Sequence, residues 1–319
     1  MTPAISQESI KQKQPTIGLI GVGKFGKNYL KILKELHEAH KIIFWGGAVA
    51  STKSLHILQE RHPDIRFTQD YQEMLDEVDA VCIATPAKTH HDIAGKCLKK
   101  AHALVEKPVC TSSDDTSSLY RASGKKILMP GHIFRFHPVS EELQKLISQE
   151  LPNTPQSITG SFINPIEERT EREPILEFIH WIDLIMHLFP LGEIMIDSIK
   201  AEKVQDVVHL NFTYQHTSGS KTECKLNLGW GHEKTRDYTL HYTDTEIQAD
   251  YITEKIVISR PDEEQVLYPK KEDALTKEIL FFIDLITGQQ PPEADISSES
   301  VISTIVVAEK AKEQYEKQQ

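Results

Sequence analysis

The segment Thr16–Leu30, which reads TIGLIGVGKFGKNYL, constrains the fold of this chain more than any other. A short apolar run ends at Gly21, and Gly23 and Gly26 complete a G-x-G-x-x-G pattern. Apolar residues then recur at helical spacing from Tyr29 onwards. A strand, a tight glycine turn and a helix in this order are typical of a dinucleotide-binding fold. We therefore expect a pyrophosphate at the amino end of this helix, where unpaired N–H groups favour negative charge.

Two other interpretations of the glycine segment stay open. Gly21–Lys27 also matches G-x-x-x-x-G-K, the start of a P-loop. Asn28 stands where a P-loop needs Ser or Thr to coordinate Mg²⁺, which weighs against a nucleotide triphosphate site. The second alternative is a glycine turn that binds no ligand. In a dinucleotide fold, Gly21 would permit the sharp turn, Gly23 would let the backbone approach the pyrophosphate, and Gly26 would bring helix and strand together.

Composition narrows the class of protein. The chain has 319 residues, of which 39% are hydrophobic, enough for two ordinary globular domains. A net charge of −11 argues against non-specific binding to nucleic acid or to anionic membranes. No stretch approaches the roughly 18 apolar residues of a membrane-spanning helix. Cys82, Cys97, Cys110 and Cys224 lie far apart, without metal-binding spacing. We expect a cytoplasmic protein with buried thiols and no metal, nucleic-acid or membrane partner.

Strands and helices alternate through the first part of the chain. Continuous apolar runs such as Ala80–Ala84 and Ala103–Val105 are separated by helical patterns, which predicts a doubly wound parallel sheet. Ligands bind such sheets beyond the carboxyl ends of the strands. The glycine loop, Thr85-Pro86 and Glu106-Lys107-Pro108 are all expected at that edge. The sequence therefore predicts an α/β Rossmann domain over residues 15–130.

The end of the predicted second strand, Ile42–Ala50, bears on the choice of cofactor. Dinucleotide folds that prefer NAD carry an Asp or Glu there, which holds the adenosine ribose. This chain has Ser51, Thr52 and Lys53 instead, whose hydroxyls and positive charge suit the 2′-phosphate of NADP. Lys53 could equally be a solvated lysine in the first turn of a helix, so NADP and NAD both stay open.

Beyond about residue 131 the pattern changes. Segments such as Val207–Tyr214 and Thr222–Trp230 alternate apolar and polar residues and are joined by short polar turns. This alternation is typical of an antiparallel sheet with one face on the core. We expect residues 131–319 to form an α+β domain with a mostly antiparallel open sheet.

A single apolar helix is predicted over Ile175–Phe189. Its ionisable residues Glu177, His180, Asp183 and His187 are spaced by three, three and four positions, which places them on one face. Ionisable groups on a buried helix are unfavourable unless they pair or line a cavity. The stripe is therefore either a satisfied polar seam or part of an active site with His180 at its centre.

Taken together, these segments resemble the glucose–fructose oxidoreductase / inositol dehydrogenase family, Gfo/Idh/MocA. The stretch Gly131–Pro138, which reads G-H-x-x-R-F-x-P, is similar to the corresponding stretch in the branch of this family that acts on nucleotide-linked amino sugars. The matching segments, in chain order, are the cofactor loop Gly21-Val22-Gly23-Lys24-Phe25-Gly26, the T-P-x-x-x-H of Thr85, Pro86 and His90, the E-K-P of Glu106-Lys107-Pro108, the G-H-x-x-R-F-x-P of Gly131–Pro138 and the H-x-x-D of His180–Asp183.

The resemblance implies hydride transfer between a sugar hydroxyl or ketone and NADP or NAD. It makes His180 the general base, since an imidazole titrates near working pH, and Lys107 a hydrogen-bond donor to the reacting oxygen. The implied cofactor contacts are Gly21, Gly23, Lys24, Phe25, Gly26, Ser51, Thr52, Lys53, Thr85, Pro86, His90, Glu106 and Lys107, and the implied substrate contacts are His132, Arg135 and Asp183. The second domain would bind the sugar and join copies into a homo-oligomer, a dimer or a tetramer.

One position departs from the family's pattern. Members usually carry an Asp four residues before the histidine, and this chain has Leu176 there. Glu177 is offset by one position and either takes that catalytic role, since residues three apart on a helix share a face, or the role is absent. A dinucleotide-binding regulator without catalysis is therefore the alternative to an enzyme.

The predicted substrate contacts also have structural alternatives. His132 and Arg135 could form a salt bridge at the domain junction instead of contacting the sugar. Arg169 and Arg172, in a charged loop, are further candidates for binding a diphosphate, with a solvated loop as their alternative.

Overall fold

A computed structural model describes residues 14–149, 151, 154–168, 173–290 and 298–317. Its first part is the predicted Rossmann fold, a six-stranded parallel sheet of order β3-β2-β1-β4-β5-β6. The order reverses between β1 and β4, which is the position where such sheets bind ligands. The elements are β1 (Thr16–Ile20), α1 (Gly26–Glu38), β2 (Ile43–Ala48), α2 (Thr52–Arg61), β3 (Phe67–Thr68), β4 (Ala80–Ile83), α3 (His90–Cys97), β5 (His102–Glu106), α4 (Ser113–Ser123) and β6 (Leu128–Gly131).

The apolar runs of the central strands are buried on both faces of this sheet. Cys82 and Leu104 pack into the cluster that also holds the apolar stripe of α1. Val81 and Val105 point the other way, into a cluster with α3 and α4. Because successive side chains of a strand face opposite sides, these strands are apolar at every position rather than at alternate ones.

The second part is built on the predicted mostly antiparallel sheet. Its order is β15-β14-β13-β12-β7-β11-β10-β8, with β9 added to β10, and only the pairing of β7 with β11 is parallel among the described strands. The elements are α5 (Pro138–Gln149), β7 (Ser157–Pro165), α6 (Pro174–Glu177), α7 (His180–Leu188), β8 (Gly192–Ile194), β9 (Lys200–Val204), β10 (Val207–His216), β11 (Lys221–Gly231), β12 (Thr235–His241), β13 (Glu246–Asp250), β14 (Lys255–Arg260), β15 (Glu263–Leu267), α8 (Ala274–Ile286) and α9 (Ser298–Glu316).

The prediction of one continuous helix over Ile175–Phe189 is wrong. Phe178 and Ile179 form a turn that separates α6 from α7. The Phe178 ring lies 5.1 Å from the ring of Phe162 and 5.0 Å from that of Trp230, centre to centre. Packing of this ring against the sheet outweighs the helical preference of the local sequence. Glu177 is therefore the last residue of α6, a separate helix, and does not continue the face of α7 that carries His180.

Helix α8 belongs by sequence to the second predicted domain but packs with the first. Leu275, Ile279 and Phe282 lie in the same buried cluster as Ile17 and Leu33. The boundary between residues 130 and 131 stays a prediction. In the folded protein α8 packs against the Rossmann domain and places its polar residue Glu278 next to Tyr29 of α1.

The glycines of the turn after β1 have different steric surroundings. Gly21 has φ of +93°, and a Cβ there would lie 2.6 Å from the carbonyl oxygen of Ala84. A Cβ at Gly26 would lie 2.1 Å from the carbonyl oxygen of Gly21. A Cβ at Gly23 would meet no described atom within 4 Å. The fold therefore requires Gly21 and Gly26 but leaves the space above Gly23 open.

We predict that Gly26→Ala destabilises the protein and that Gly23→Ala does not. Overpacking against the backbone at Gly26 should lower the free energy of unfolding by about 1–3 kcal/mol. Gly23→Ala should change it by no more than about 0.5 kcal/mol, as expected where nothing is contacted. Urea denaturation of the two variants measures the difference. Equal losses in both would show that Gly23 is also needed for folding.

Candidate active site

Lys107 extends from the carboxyl end of β5 to the junction of α6 and α7. The Lys107–Pro108 peptide bond is cis. The Lys107 ammonium donates a hydrogen bond to the carbonyl oxygen of Glu177 at 2.7 Å and lies 3.2 Å from the Glu177 Oε2. The structure thus brings together two residues predicted from separate motifs and joins the Rossmann sheet to the second part of the molecule at this point.

His180 is the first residue of α7 and is almost completely buried. Its ring centre lies 5.0 Å from that of Phe134 and 5.9 Å from that of His132. Burial, reinforced by the positive charge of Lys107, lowers the pKa of His180 well below its ordinary value. The imidazole is therefore neutral at physiological pH, which is the form that can accept a proton.

The two alternatives for Glu177, taking the place of the Asp or leaving that role absent, both stay open. The carboxylate of Glu177 lies against Lys107, and the buried Nδ1 of His180 has no hydrogen-bond partner in the described ranges. Leu176, which stands in the position where the family usually has Asp, packs against the apolar core. In this structure Glu177 contacts Lys107 through both its carbonyl and its carboxylate.

Asp183 lies one turn beyond His180 and holds Arg135. The guanidinium donates to both carboxylate oxygens, from Nε at 2.8 Å and from Nη2 at 2.5 Å, and both side chains are buried. Burial alone would raise the pKa of Asp183, but Arg135 and His132 lower it overall. Burial lowers the pKa of His132 to about 4. Since Asp183 occupies the fork of Arg135, the arrangement matches the structural alternative, and substrate contacts of these residues stay a prediction.

Glu106 is buried beside two residues that the sequence did not single out. The Tyr29 hydroxyl oxygen lies 2.8 Å from Glu106 Oε1 and 3.1 Å from Glu278 Oε2. A hydroxyl has one proton to donate, so one of the two carboxyl groups must be protonated and donate to Tyr29. Burial raises the pKa of Glu106 to about 7 and raises that of Glu278 well above its usual range. The carboxyl group of Glu278 is therefore neutral and donates to the Tyr29 hydroxyl oxygen. The Tyr29 hydroxyl in turn donates a hydrogen bond to the Glu106 carboxylate.

His90 connects the loop that follows β4 with the loop that follows β5 and contains Lys107. Its Nδ1 lies 2.9 Å from the carbonyl oxygen of Pro108, and its Nε2 lies 2.8 Å from that of Thr85. The ring is buried, and burial lowers its pKa. A neutral imidazole has one N–H and donates to only one of these oxygens at a time. Both nitrogens face the protein backbone, so a direct contact of His90 with a cofactor stays a prediction.

The residues around the glycine loop fit a dinucleotide. Among the described residues no side chain caps the amino end of α1, where a helix favours the negative charge of a phosphate. The N–H groups of Lys27 and Asn28 donate to the carbonyl oxygens of Gly23 and Phe25. Ser51 caps α2 by accepting a hydrogen bond from the Ser54 N–H at 3.1 Å. Lys53 is exposed beside it, and no carboxylate follows β2 in the residues Val49 to Lys53. This end of the strand offers hydroxyls and a cation, as the sequence predicts.

The remaining sequence features are the four cysteines, metal-binding clusters, membrane-spanning helices and two loop arginines. The four cysteines are buried and unpaired, as expected. Within the described ranges, no cluster of three or more His, Cys, Asp or Glu is arranged to hold a metal ion. No helix in that part of the chain is long and apolar enough to cross a membrane. Arg169 and Arg172 lie outside the described residues.

Known proteins share this architecture over nearly the whole chain. Over 293 residues the chain is 21% identical to UDP-N-acetylglucosamine 3-dehydrogenase of Acidithiobacillus ferrooxidans, covering 87% of this chain and 90% of that protein. A solved structure of that dehydrogenase superposes with a TM-score of 0.83 at 21% identity and covers 96% of this chain and 99% of the other. A 3-ketoreductase from Actinomadura kijaniata, in complex with TDP-benzene and NADP, gives a TM-score of 0.75 at 18% identity and covers 95% and 98%.

The amino-terminal part of the chain, residues 16–132, matches a described family. Residues 16–132 match the family GFO_IDH_MocA, described as an oxidoreductase family with an NAD-binding Rossmann fold. The matched range holds the glycine loop and Glu106-Lys107-Pro108, and it favours the dinucleotide interpretation over the P-loop. Residues 16–132 are therefore similar to this oxidoreductase family, and the chain shares the fold of the solved structures.

Proposed function

We propose that this protein is an NAD(P)-dependent oxidoreductase that transfers hydride between a hydroxyl or ketone of a nucleotide-linked sugar and the nicotinamide. The observation that carries the proposal is the contact of Lys107, beyond the carboxyl end of β5, with Glu177, three residues before the buried and neutral His180. The relative named as a UDP-N-acetylglucosamine 3-dehydrogenase supports the class of substrate. Assembly into a dimer or tetramer and a cytoplasmic location stay predictions.

The chain's own groups would handle the proton and the charge on the reacting oxygen. The nicotinamide, when bound, supplies the hydride acceptor or donor. Neutral His180 would take the hydroxyl proton as hydride leaves the carbon, and would return it in the reverse direction. Lys107 has three N–H donors. The Glu177 carbonyl accepts one of them, and the Glu177 carboxylate forms an ion pair with the ammonium. Another N–H would donate to the reacting oxygen and stabilise its developing negative charge.

We predict that Lys107→Met and His180→Asn each lower turnover by about 10²–10⁴-fold while the dinucleotide still binds, because both residues act on the reacting oxygen. Nicotinamide absorbance measures turnover with a panel of nucleotide-linked sugars, and nicotinamide fluorescence measures binding. Lys88→Met, at an exposed position, and His91→Asn, at a partly exposed position, are the matched controls of similar chemistry.

Two results would contradict the proposal. Full turnover in either site variant would remove Lys107 or His180 from the chemistry. Tight dinucleotide binding by the wild-type protein with no turnover of any sugar would instead identify a regulator. The apolar Leu176, and the lack of a hydrogen-bond partner for His180 Nδ1 among the described residues, would then explain it.

We also propose that NADP is the preferred cofactor, and we predict that Lys53→Ala weakens NADPH binding about tenfold because a charge-assisted contact to the 2′-phosphate is lost. NADH binding should not change. Lys99→Ala, at an exposed position just after α3 in the chain, is the control. Fluorescence titration with both cofactors checks the prediction. Unchanged NADPH affinity would mean that Lys53 is only a solvated lysine.

A further inference from the structure

Arg236 lies on β12, on the face of the second sheet that packs against α7. Its register partner on β7 is Phe162. The guanidinium carbon is 4.6 Å from the centre of the Phe162 ring and 5.7 Å from the centre of the Phe134 ring. The ring of His180 packs against the same two rings, at 6.2 Å and 5.0 Å between centres. A cation therefore lies beside the proposed base, and no sequence motif pointed to it.

The charge of Arg236 is not balanced by the described residues around it. One nitrogen, Nη2, donates to the Asn164 side-chain oxygen at 3.2 Å. The buried Nε has no hydrogen-bond partner among the described residues. No carboxylate of those residues lies within ion-pair distance of the guanidinium, and Glu168 acts on it only from farther away. A half-buried cation without a counter-ion is unfavourable unless it binds an anion.

Two other arginines show what a balanced site looks like in the same protein. Arg135 is buried, but Asp183 accepts two hydrogen bonds from it. Arg66 lies over an aromatic ring, with its guanidinium carbon 3.9 Å from the centre of Trp45, and it pairs with Glu73 and Glu77 at 3.6 Å and 3.2 Å. Stacking on a ring therefore does not by itself leave an arginine without a carboxylate.

We propose that Arg236 binds an oxyanion of the substrate, the phosphate of a nucleotide-linked sugar or the carboxylate of an acidic sugar, while the sugar lies against His180. The inference rests on the proposed function and adds to it the residue that selects acidic sugars. A guanidinium presents a planar fork of donors that matches phosphate and carboxylate oxygens. The two aromatic rings hold that fork in place, so less side-chain freedom is lost when the anion binds.

The test compares Arg236→Met with the wild-type protein under saturating NADPH, so that the dinucleotide site is filled. Met keeps an apolar side chain against Phe162 and removes the charge. Calorimetry measures binding of UDP as the phosphate probe and of glucuronate as the carboxylate probe. We expect one of them to bind the wild-type protein and to lose at least about tenfold in affinity in the variant. Arg66→Met is the matched control and should bind as the wild type does.

The binding and turnover measurements separate this inference from the proposed function. Loss of anion binding in Arg236→Met supports the inference even if no sugar is turned over, in which case only the proposed function fails. A raised KM for nucleotide-linked sugars with kcat nearly unchanged supports both. Equal anion affinity in the wild type and Arg236→Met overturns the inference, as does failure of the wild type to bind either probe. Retained binding in Arg236→Lys, with one point charge in place of the fork, would show that charge alone suffices.

Discussion

The contact between Lys107 and Glu177 is the interaction on which the candidate site depends, because it joins the two parts of the molecule next to His180. Lys107 extends from the carboxyl end of β5 in the parallel sheet. Glu177 and His180 lie on either side of the break between α6 and α7, in the second part of the molecule. If α6 and α7 formed one straight helix, Glu177 would share the face of His180. The break instead directs its carbonyl and its carboxylate to the lysine.

The protonation states of the buried histidines and of Glu106 and Glu278 follow from burial more than from charge pairing, whereas that of Asp183 follows from Arg135. The pKa values of His90, His132, His137 and His180 are all lowered, with burial as the largest cause. These groups reduce stability as pH falls below about 6.5, because the unfolded chain then takes up protons that the folded chain does not. Glu106 and Glu278 act in the opposite direction, since their raised pKa values reduce stability as pH rises from about 4.5.

The parts of the site that depend on local sequence could be predicted. Gly21 and Gly26 are required by a backbone turn of a few residues, and the Glu106-Lys107-Pro108 motif follows a strand that is apolar throughout. A parallel sheet brings the ends of its strands to one edge, so the grouping of these motifs followed from the order of elements alone. His180 could be found because an ionisable residue interrupts an otherwise apolar segment.

The remaining features depend on packing between distant segments. Tyr29 has the spacing of an apolar helical residue, and nothing near Glu278 in the sequence indicates that α8 buries it beside Glu106. Arg236 occupies an ordinary alternating strand, and its partners Phe134 and Phe162 lie about 70 to 100 residues away in the chain. Local patterns do not report such contacts, because each requires the register of the sheet or the docking of a helix to be known first.

The nitrogen-15 resonances of His180, followed against pH in the NADPH-bound protein and assigned by their loss in His180→Asn, measure most directly whether a buried neutral base stands beside Lys107. A ring that stays neutral at pH values below the ordinary 6.5, and takes up a proton only under more acidic conditions, is the expected result. A ring that is protonated at neutral pH would contradict it, because an imidazolium has no lone pair with which to accept the hydroxyl proton.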